Sequence, residues 1–275
     1  MTVGIAAITV PDGYIVTVSD RMLSSGSAVQ ATDNATLKSR KIAKRWALMF
    51  AADDANLFLP IVKSCWGFME ARGEDHDLHT VQDAVVTAYS SMFDAEFTSR
   101  YLARYSISSI TAFRGIGLAQ FGQERFDRVC DEIDRFDLGI TLLCYGYDTK
   151  KIPHIFEVSN PGKITEHDLL GYAVIGSGWY MATASLRRRT LPPDLEMMIY
   201  RLLEAKFSAE TALGVGKSTS LLTMNSDGKD GAIGSGSIEK IREVWERTLK
   251  EPEPQDAIDI ISKTEAVRRI VDGER

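Results

Sequence analysis

Residues 2–20 read TVGIAAITVPDGYIVTVSD, and this stretch decides the fold. Residues 3–9 (VGIAAIT) are apolar and β-branched, and residues 14–19 (YIVTVS) repeat that character. Between them stands Pro11-Asp12-Gly13, which is turn chemistry: proline fixes φ, and glycine accepts positive φ. The stretch predicts a β-hairpin whose first strand begins almost at Met1.

Working outward, residues 24–36 are small and polar and read as a loop, and 46–52 (WALMFAA) read as a buried strand. Helical spacing then takes over. Leu57, Ile61, Cys65 and Met69 recur every four residues over 54–72. Pro60 is tolerable only in a first turn, so this helix is expected to start at residue 58 or 59. Thr80 is expected to cap a second helix running to about 104, with Val81, Val85 and Ala88 on one face. Residues 105–138 read as an insertion: a strand or loop, then a charged helix from Gln123 to Arg135. Strands follow at 140–147 (ITLLCYGY) and 153–159 (PHIFEVS), and another at 171–176 (GYAVIG). A helix from about Ser177-Gly178 is broken by Pro192-Pro193. A helix over 194–213, a strand over 218–224 and a charged helix over 237–249 complete the pattern. Strands group apart from helices at hairpin-length connections. That predicts an α+β fold of antiparallel sheets covered by helices, rather than βαβ units. The domain is expected to span 2–249, with EPEP at 251–254 opening a C-terminal extension, 250–275.

The chain has 275 residues, of which 44% are apolar and 25% charged, so bulk disorder is excluded. Its 32 Lys and Arg against 38 Asp and Glu give −6, with no global pull toward nucleic acid or an anionic membrane. No apolar run is long enough to span a bilayer, and no secretory signal pattern is present. Cys65, Cys130 and Cys144 are far apart and form no CxxC pair, which predicts a reduced, cytoplasmic setting.

The sharpest chemical feature is Thr2. Removal of Met1 before this small residue would leave threonine at the N-terminus. Such a residue holds a nucleophile and a base together: its hydroxyl attacks a carbonyl, and its α-amine takes the proton. That amine has an ordinary pKa of about 7.7–8.0, suited to a base near neutral pH.

In context, the opening Thr2 strand and the hairpin ending in Ser19-Asp20-Arg21 resemble the start of a proteasome-type β subunit. Arg40-Lys41-Ile42 before the strand ALMFAADDA, the pair LLCYGYD and HIFEVSNPGKI, AVIGSGWYMATASL, and the closing STSLLTM follow in the family's order. The resemblance covers roughly residues 2–249. It is to bacterial proteasome-like threonine peptidases of the N-terminal nucleophile (Ntn) hydrolase superfamily. It implies a four-layer αββα sandwich of two antiparallel sheets, and a homo-oligomer (ring or helical stack) around an inner chamber. The substrate would be a peptide or unfolded protein, with no metal or organic cofactor, and the identity of any unfoldase partner stays open.

The resemblance also assigns residues. Thr2 matches the nucleophile, Lys41 the lysine beside it, and Asp20 the carboxylate holding that lysine. Ser177 matches the serine that hydrogen-bonds the Thr amine. An ammonium beside Thr2 would lower the pKa of its hydroxyl. Ala51 or Ala52 stands where the family usually has the glycine whose N–H forms the oxyanion hole. An alanine keeps that donor if its φ is negative. Met49 is expected near the pocket for the residue preceding the cleaved bond. The family's later Asp and Ser have no clean match near Glu210, Val215 and Ser218. Two alternatives stay open: a small-molecule amide hydrolase of the same superfamily, and a catalytically silent assembly subunit.

Four other patterns point elsewhere and are set aside. Gly214-Val215-Gly216-Lys217-Ser218-Thr219 lacks the first glycine of a P-loop, since position 211 is Thr, and it runs helix to strand. Glu74, Asp75, His76, Asp77 and His79 read as a solvated connection rather than a metal cluster. Arg187 to Arg189 read as a helix face or an assembly contact. Cys144 reads as a buried structural thiol.

Overall fold

The computed structural model describes residues 2–10, 12–24, 31–32, 38–188 and 194–249. The chain divides into two compact units, Met1–Ser235 and Gly236–Arg275.

The opening hairpin forms as the sequence predicts. β1 (Gly4–Ile8) pairs with β2 (Ile15–Asp20) from Gly4↔Ser19 to Ile8↔Ile15. Thr9 N–H donates to Tyr14 O at 2.8 Å, and Gly13 takes φ +63° to close the turn. A two-residue ladder, β3 (Leu23–Ser24) with β4 (Ala31–Thr32), follows. β5 (Ser39–Ala43) and β6 (Trp46–Ala52) make the next hairpin.

The four-residue apolar spacing becomes α1 (Phe58–Glu70), which buries Phe58, Ile61, Cys65 and Met69. It starts at the expected residue, with Pro60 in its first turn. Each such side chain stabilises the fold by about 1.5–3 kcal/mol when fully buried, so packing outweighs propensity here. α2 (Leu78–Phe97) is capped by Asp77 and not by Thr80: Asp77 Oδ1 accepts Thr80 N–H at 2.7 Å, three positions on. A carboxylate holds that donor better than a threonine hydroxyl one turn later, because it also meets the positive helix end. Over 105–138 the expected strand or loop is instead a helix, α3 (Ile110–Phe121), and α4 (Gln123–Arg135) follows it. Phe113 and Ile133 tie both into the core beneath α1 and α2.

β7 (Ile140–Tyr147), β8 (Pro153–Ser159) and β9 (Lys163–Glu166) come next, then β10 (Tyr172–Ile175). α5 (Trp179–Arg187), α6 (Leu195–Ala209), β11 (Thr219–Met224) and β12 (Asp230–Ala232) complete the first unit. The second unit's described part is the helix α7 (Ser235–Thr248), which opens on the last residue of the first. Residues 250–275 lie outside the described residues.

The first unit is mixed α and β, with two antiparallel five-stranded sheets ordered β10-β1-β2-β11-β12 and β5-β6-β7-β8-β9. The alternation of β6 shows how they pack. Ala47, Met49 and Ala51 join Ala6, Ile15 and Ile175 of the first sheet in one core layer. Trp46, Leu48 and Phe50 face the helices α1 and α2. A strand buried on both faces loses the polar alternation of a surface strand. On the first sheet, α6 packs against β2 and β1, with α5 beside it. Tyr147 of β7 links the sheets: its hydroxyl shares one proton between Gly13 O at 2.6 Å and Met224 O at 2.7 Å. The same oxygen accepts Ile15 N–H at 3.0 Å. The whole arrangement is compatible with a sandwich. Among the described residues, no helix is long and apolar enough to cross a membrane.

Candidate active site

Thr2 stands two positions before the first residue of β1, and Asp20 closes β2. The antiparallel register therefore sets them side by side: Asp20 N–H donates to Val3 O at 3.3 Å, and Val3 N–H donates to Asp20 Oδ1 at 2.9 Å. Thr2 Oγ1 donates to the same carboxylate. Asp20 is fully buried and Thr2 nearly so. Two more backbone donors reach Asp20 Oδ2, from Met22 at 3.1 Å and Gly216 at 3.4 Å.

The lysine that completes this group is Lys38, not Lys41. Lys38 Nζ lies 3.0 Å from each oxygen of Asp20 and also donates to Thr2 Oγ1. It is 2% exposed. Two opposite charges and their hydrogen bonds compensate one another there, which is the condition for burying either. Lys41 instead pairs with Asp230 at 2.9 Å and donates to Gly228 O, both partners of the ion pair 40% exposed. In an extended chain, positions an odd number apart point to opposite sides, so the segment 38–41 cannot aim both lysines at Thr2. Asp20 is 18 positions from Thr2 and 18 from Lys38, but no periodicity marks that relation.

Ser177 reaches Thr2 through its carbonyl. Its Oγ lies 3.4 Å from Thr2 O and 3.3 Å from Leu213 O. The turn around it is built on close approach. Gly176 has φ +90°, and a Cβ there would stand 2.3 Å from Thr2 O. Gly178 N–H donates to Thr2 O at 3.2 Å.

Thr2 opens on a cleft of about 440 Å³ that Ala51, Ala52, Gly176 and Ser177 also line. Among the described residues, only Ser106 and Lys151 combine a side chain beyond glycine with positive φ. The alanines therefore carry no such strain. Asp53 N–H bonds Gly139 O across to the β7 side at 2.9 Å, so alternation turns Ala51 N–H toward β7 and Ala52 N–H away from it. The β5 ladder ends at Ser39↔Met49, which leaves the Ala52 amide outside both ladders. Met49 is not at the cleft. It is 1% exposed in the layer between the sheets, its Sδ filling the space beside Gly4. The inward phase of β6 puts it there.

The loop after α6, including the glycines of the rejected P-loop pattern, is a structural brace. Lys206 is fully buried, pairs with Glu210, and donates to Gly216 O at 2.9 Å and Lys217 O at 2.8 Å. That fixes the segment whose Gly216 N–H meets Asp20. The sequence showed a lone lysine on an otherwise apolar face of α6 and gave no further signal.

Cys144 is a buried thiol, as the sequence suggests, whereas His76, read as part of a solvated connection, is buried. Burial pushes the Cys65 thiol up to about 12 and the Cys144 thiol well above its ordinary value. Asp75 pairs with Arg45 at 2.9 Å and Glu74 with Lys44 at 3.6 Å. Among the described residues, no three His, Cys, Asp or Glu side chains are grouped to hold a metal ion. Arg189 lies outside the described residues.

No protein-family model matches the chain, and no curated protein matches it.

Proposed function

We propose that the chain is a threonine-type peptidase of the Ntn hydrolase superfamily, with the αββα arrangement and proteasome-like assembly that the resemblance implies. One observation carries this reading: Lys38 Nζ and Asp20 Oδ1 both contact Thr2 Oγ1 at the edge of a cleft.

With Met1 removed, Thr2 Oγ attacks the scissile carbonyl, and its proton passes to the Thr2 amine, directly or through water. Lys38 stabilises the oxygen as it loses that proton, and Asp20 holds Lys38 in place. Ala52 N–H faces the oxyanion. The C–N bond then breaks, the amine leaves with the proton from Thr2, and an ester remains on Oγ. Water attacks that ester, releases the acid and restores the hydroxyl. Preorganised donors of this kind are worth about 10²–10³ in rate each. Free cysteines support a reducing, cytoplasmic setting.

The test is intact-protein mass spectrometry before and after an epoxyketone or β-lactone directed at N-terminal threonine. Loss of Met1 and one adduct on Thr2, absent from Thr2→Ala, are expected. Retained Met1 would remove the free amine and with it the proposal.

A further inference from the structure

A second cavity, of about 450 Å³, lies between α1, β5 and the connection from α1 to α2, and it shares no lining residue with the Thr2 cleft. Gly73, at φ +100°, turns the chain out of α1. Two ion pairs then tie the connection to the β5–β6 turn: Lys44 with Glu74 at 3.6 Å and Arg45 with Asp75 at 2.9 Å. Ile42 and Met69, both sealed in the core, give the cavity an apolar floor, and Trp66 forms a wall. Trp66 and Met69 stand three positions apart on α1, so they share a face of the helix. Trp66 is 53% exposed. Its indole is apolar surface that a second ring at this wall would take out of water.

His76 decides what that ring must carry. It lines the cavity and is only 4% exposed. One ring nitrogen donates to the Gly73 carbonyl. The other has no hydrogen-bond partner among the described residues, yet it is not sealed from solvent, so it is open to a ligand. Burial holds the pKa of His76 below its ordinary value, against the Gly73 bond and the charges of Asp75 and Asp77. The ring is therefore neutral near pH 7, and its second nitrogen is an acceptor. A nearly buried acceptor gains when a ligand brings it a donor. Among the described lining residues Lys44 is the only cation, and Glu74 already pairs with it, so the cavity is not built for an anion.

We propose that this cavity binds a neutral, planar aromatic molecule carrying an N–H donor. Its ring packs on Trp66 above Ile42 and Met69, and its N–H donates to the free nitrogen of His76. An apolar cavity of this volume with a single well-placed polar group has the make-up of a small-molecule site. The site stands apart from Thr2, so it is judged independently of the peptidase reading.

Met69 lines the cavity and reports its occupation. Protein with isotope-labelled methionine methyl groups is titrated, by nuclear magnetic resonance, with indole and with 1-methylindole, which keeps the ring system and lacks the N–H. The Met69 signal is assigned by its loss in Met69→Leu. Indole is expected to shift that signal saturably and to bind about fivefold more tightly than 1-methylindole, the worth of one ordinary hydrogen bond. His76→Phe should weaken indole and bring the two probes within about twofold of each other. Trp66→Ala, at a half-exposed position, should weaken both at least about threefold and keep their ratio. That second variant keeps the proposal open to refutation should His76→Phe melt early. No saturable Met69 shift up to the solubility of indole, a wild-type ratio within about twofold, or an indole affinity untouched by Trp66→Ala overturns the proposal.

Discussion

Replacing Lys38 by methionine removes one half of a buried ion pair and keeps most of the side chain's volume. Asp20, fully buried, then stands with the Thr2 hydroxyl and the backbone N–H groups of Val3, Met22 and Gly216 but without the Lys38 ammonium. Losing one partner of such a pair costs about 3–5 kcal/mol, and the backbone donors hold the loss near the lower end. At about 2–4 °C per kcal/mol for a chain of this size, the melting temperature should fall by roughly 6–12 °C. Lys41→Met breaks a half-exposed pair worth about 0–1 kcal/mol, hence at most a few degrees. The second readout is the rate of Thr2 acylation by a β-lactone. Lys38→Met should slow it by at least about a hundredfold, while Lys41→Met should leave it within a few-fold. Adding Asp20→Asn to Lys38→Met removes the stranded charge and should recover part of the lost stability without restoring acylation. The assignment is refuted if Lys38→Met melts within about 2 °C of wild type, or if Lys41→Met is the variant that abolishes acylation.

Lys206→Met removes the Lys206–Glu210 pair and releases the Gly216 loop, so it should lower the melting temperature and slow acylation, and Lys206→Arg should rescue part of both. Gly176→Ala meets Thr2 O at 2.3 Å with φ +90°; refolded protein should lose acylation, and normal labelling would contradict the described turn. Tyr147→Phe leaves the Ile15 N–H without its acceptor and should cost about 1–3 kcal/mol in urea unfolding. Burial lowers the pKa of His154, but its hydrogen bond to Asp168 and the charges of Asp168 and Asp148 outweigh that and raise it above 6.5. A raised folded pKa means stability fully present below about pH 6.5 and lost as pH climbs through the folded value. The melting advantage of wild type over His154→Gln should therefore shrink between mildly acidic and alkaline pH.

Local chemistry carried much of the site. The hairpin follows from two β-branched runs about a Pro-Asp-Gly turn, and its register alone brings Thr2 to Asp20. Lys38 was hidden because alternation over 38–41 turns only one of the two lysines inward, and the composition of that segment does not say which. Met49 was misplaced for a related reason: β6 is apolar on both faces, so its composition does not say which face meets the other sheet. α3 escaped because Gly115 and Gly117 weaken helix propensity by about 1 kcal/mol each. The packing of Ile110 and Phe113 supplies what propensity withholds.

Thr2 leads into a strand of one sheet and Ala52 ends a strand of the other, with a layer of side chains between those sheets. Ala6, Ala47, Ala51 and Ala173 keep that layer thin, and Met49 occupies the notch beside Gly4. The site is thus a jaw whose gauge is set by filler rather than by its teeth. A methylene added at Ala47 lies outside the residues that line the cleft, yet it wedges the two plates and, on the peptidase reading proposed above, shifts the distance between Thr2 Oγ1 and the Ala52 amide. The gap across the cleft is thus set from within the layer between the sheets, at positions that include residues outside the cleft itself.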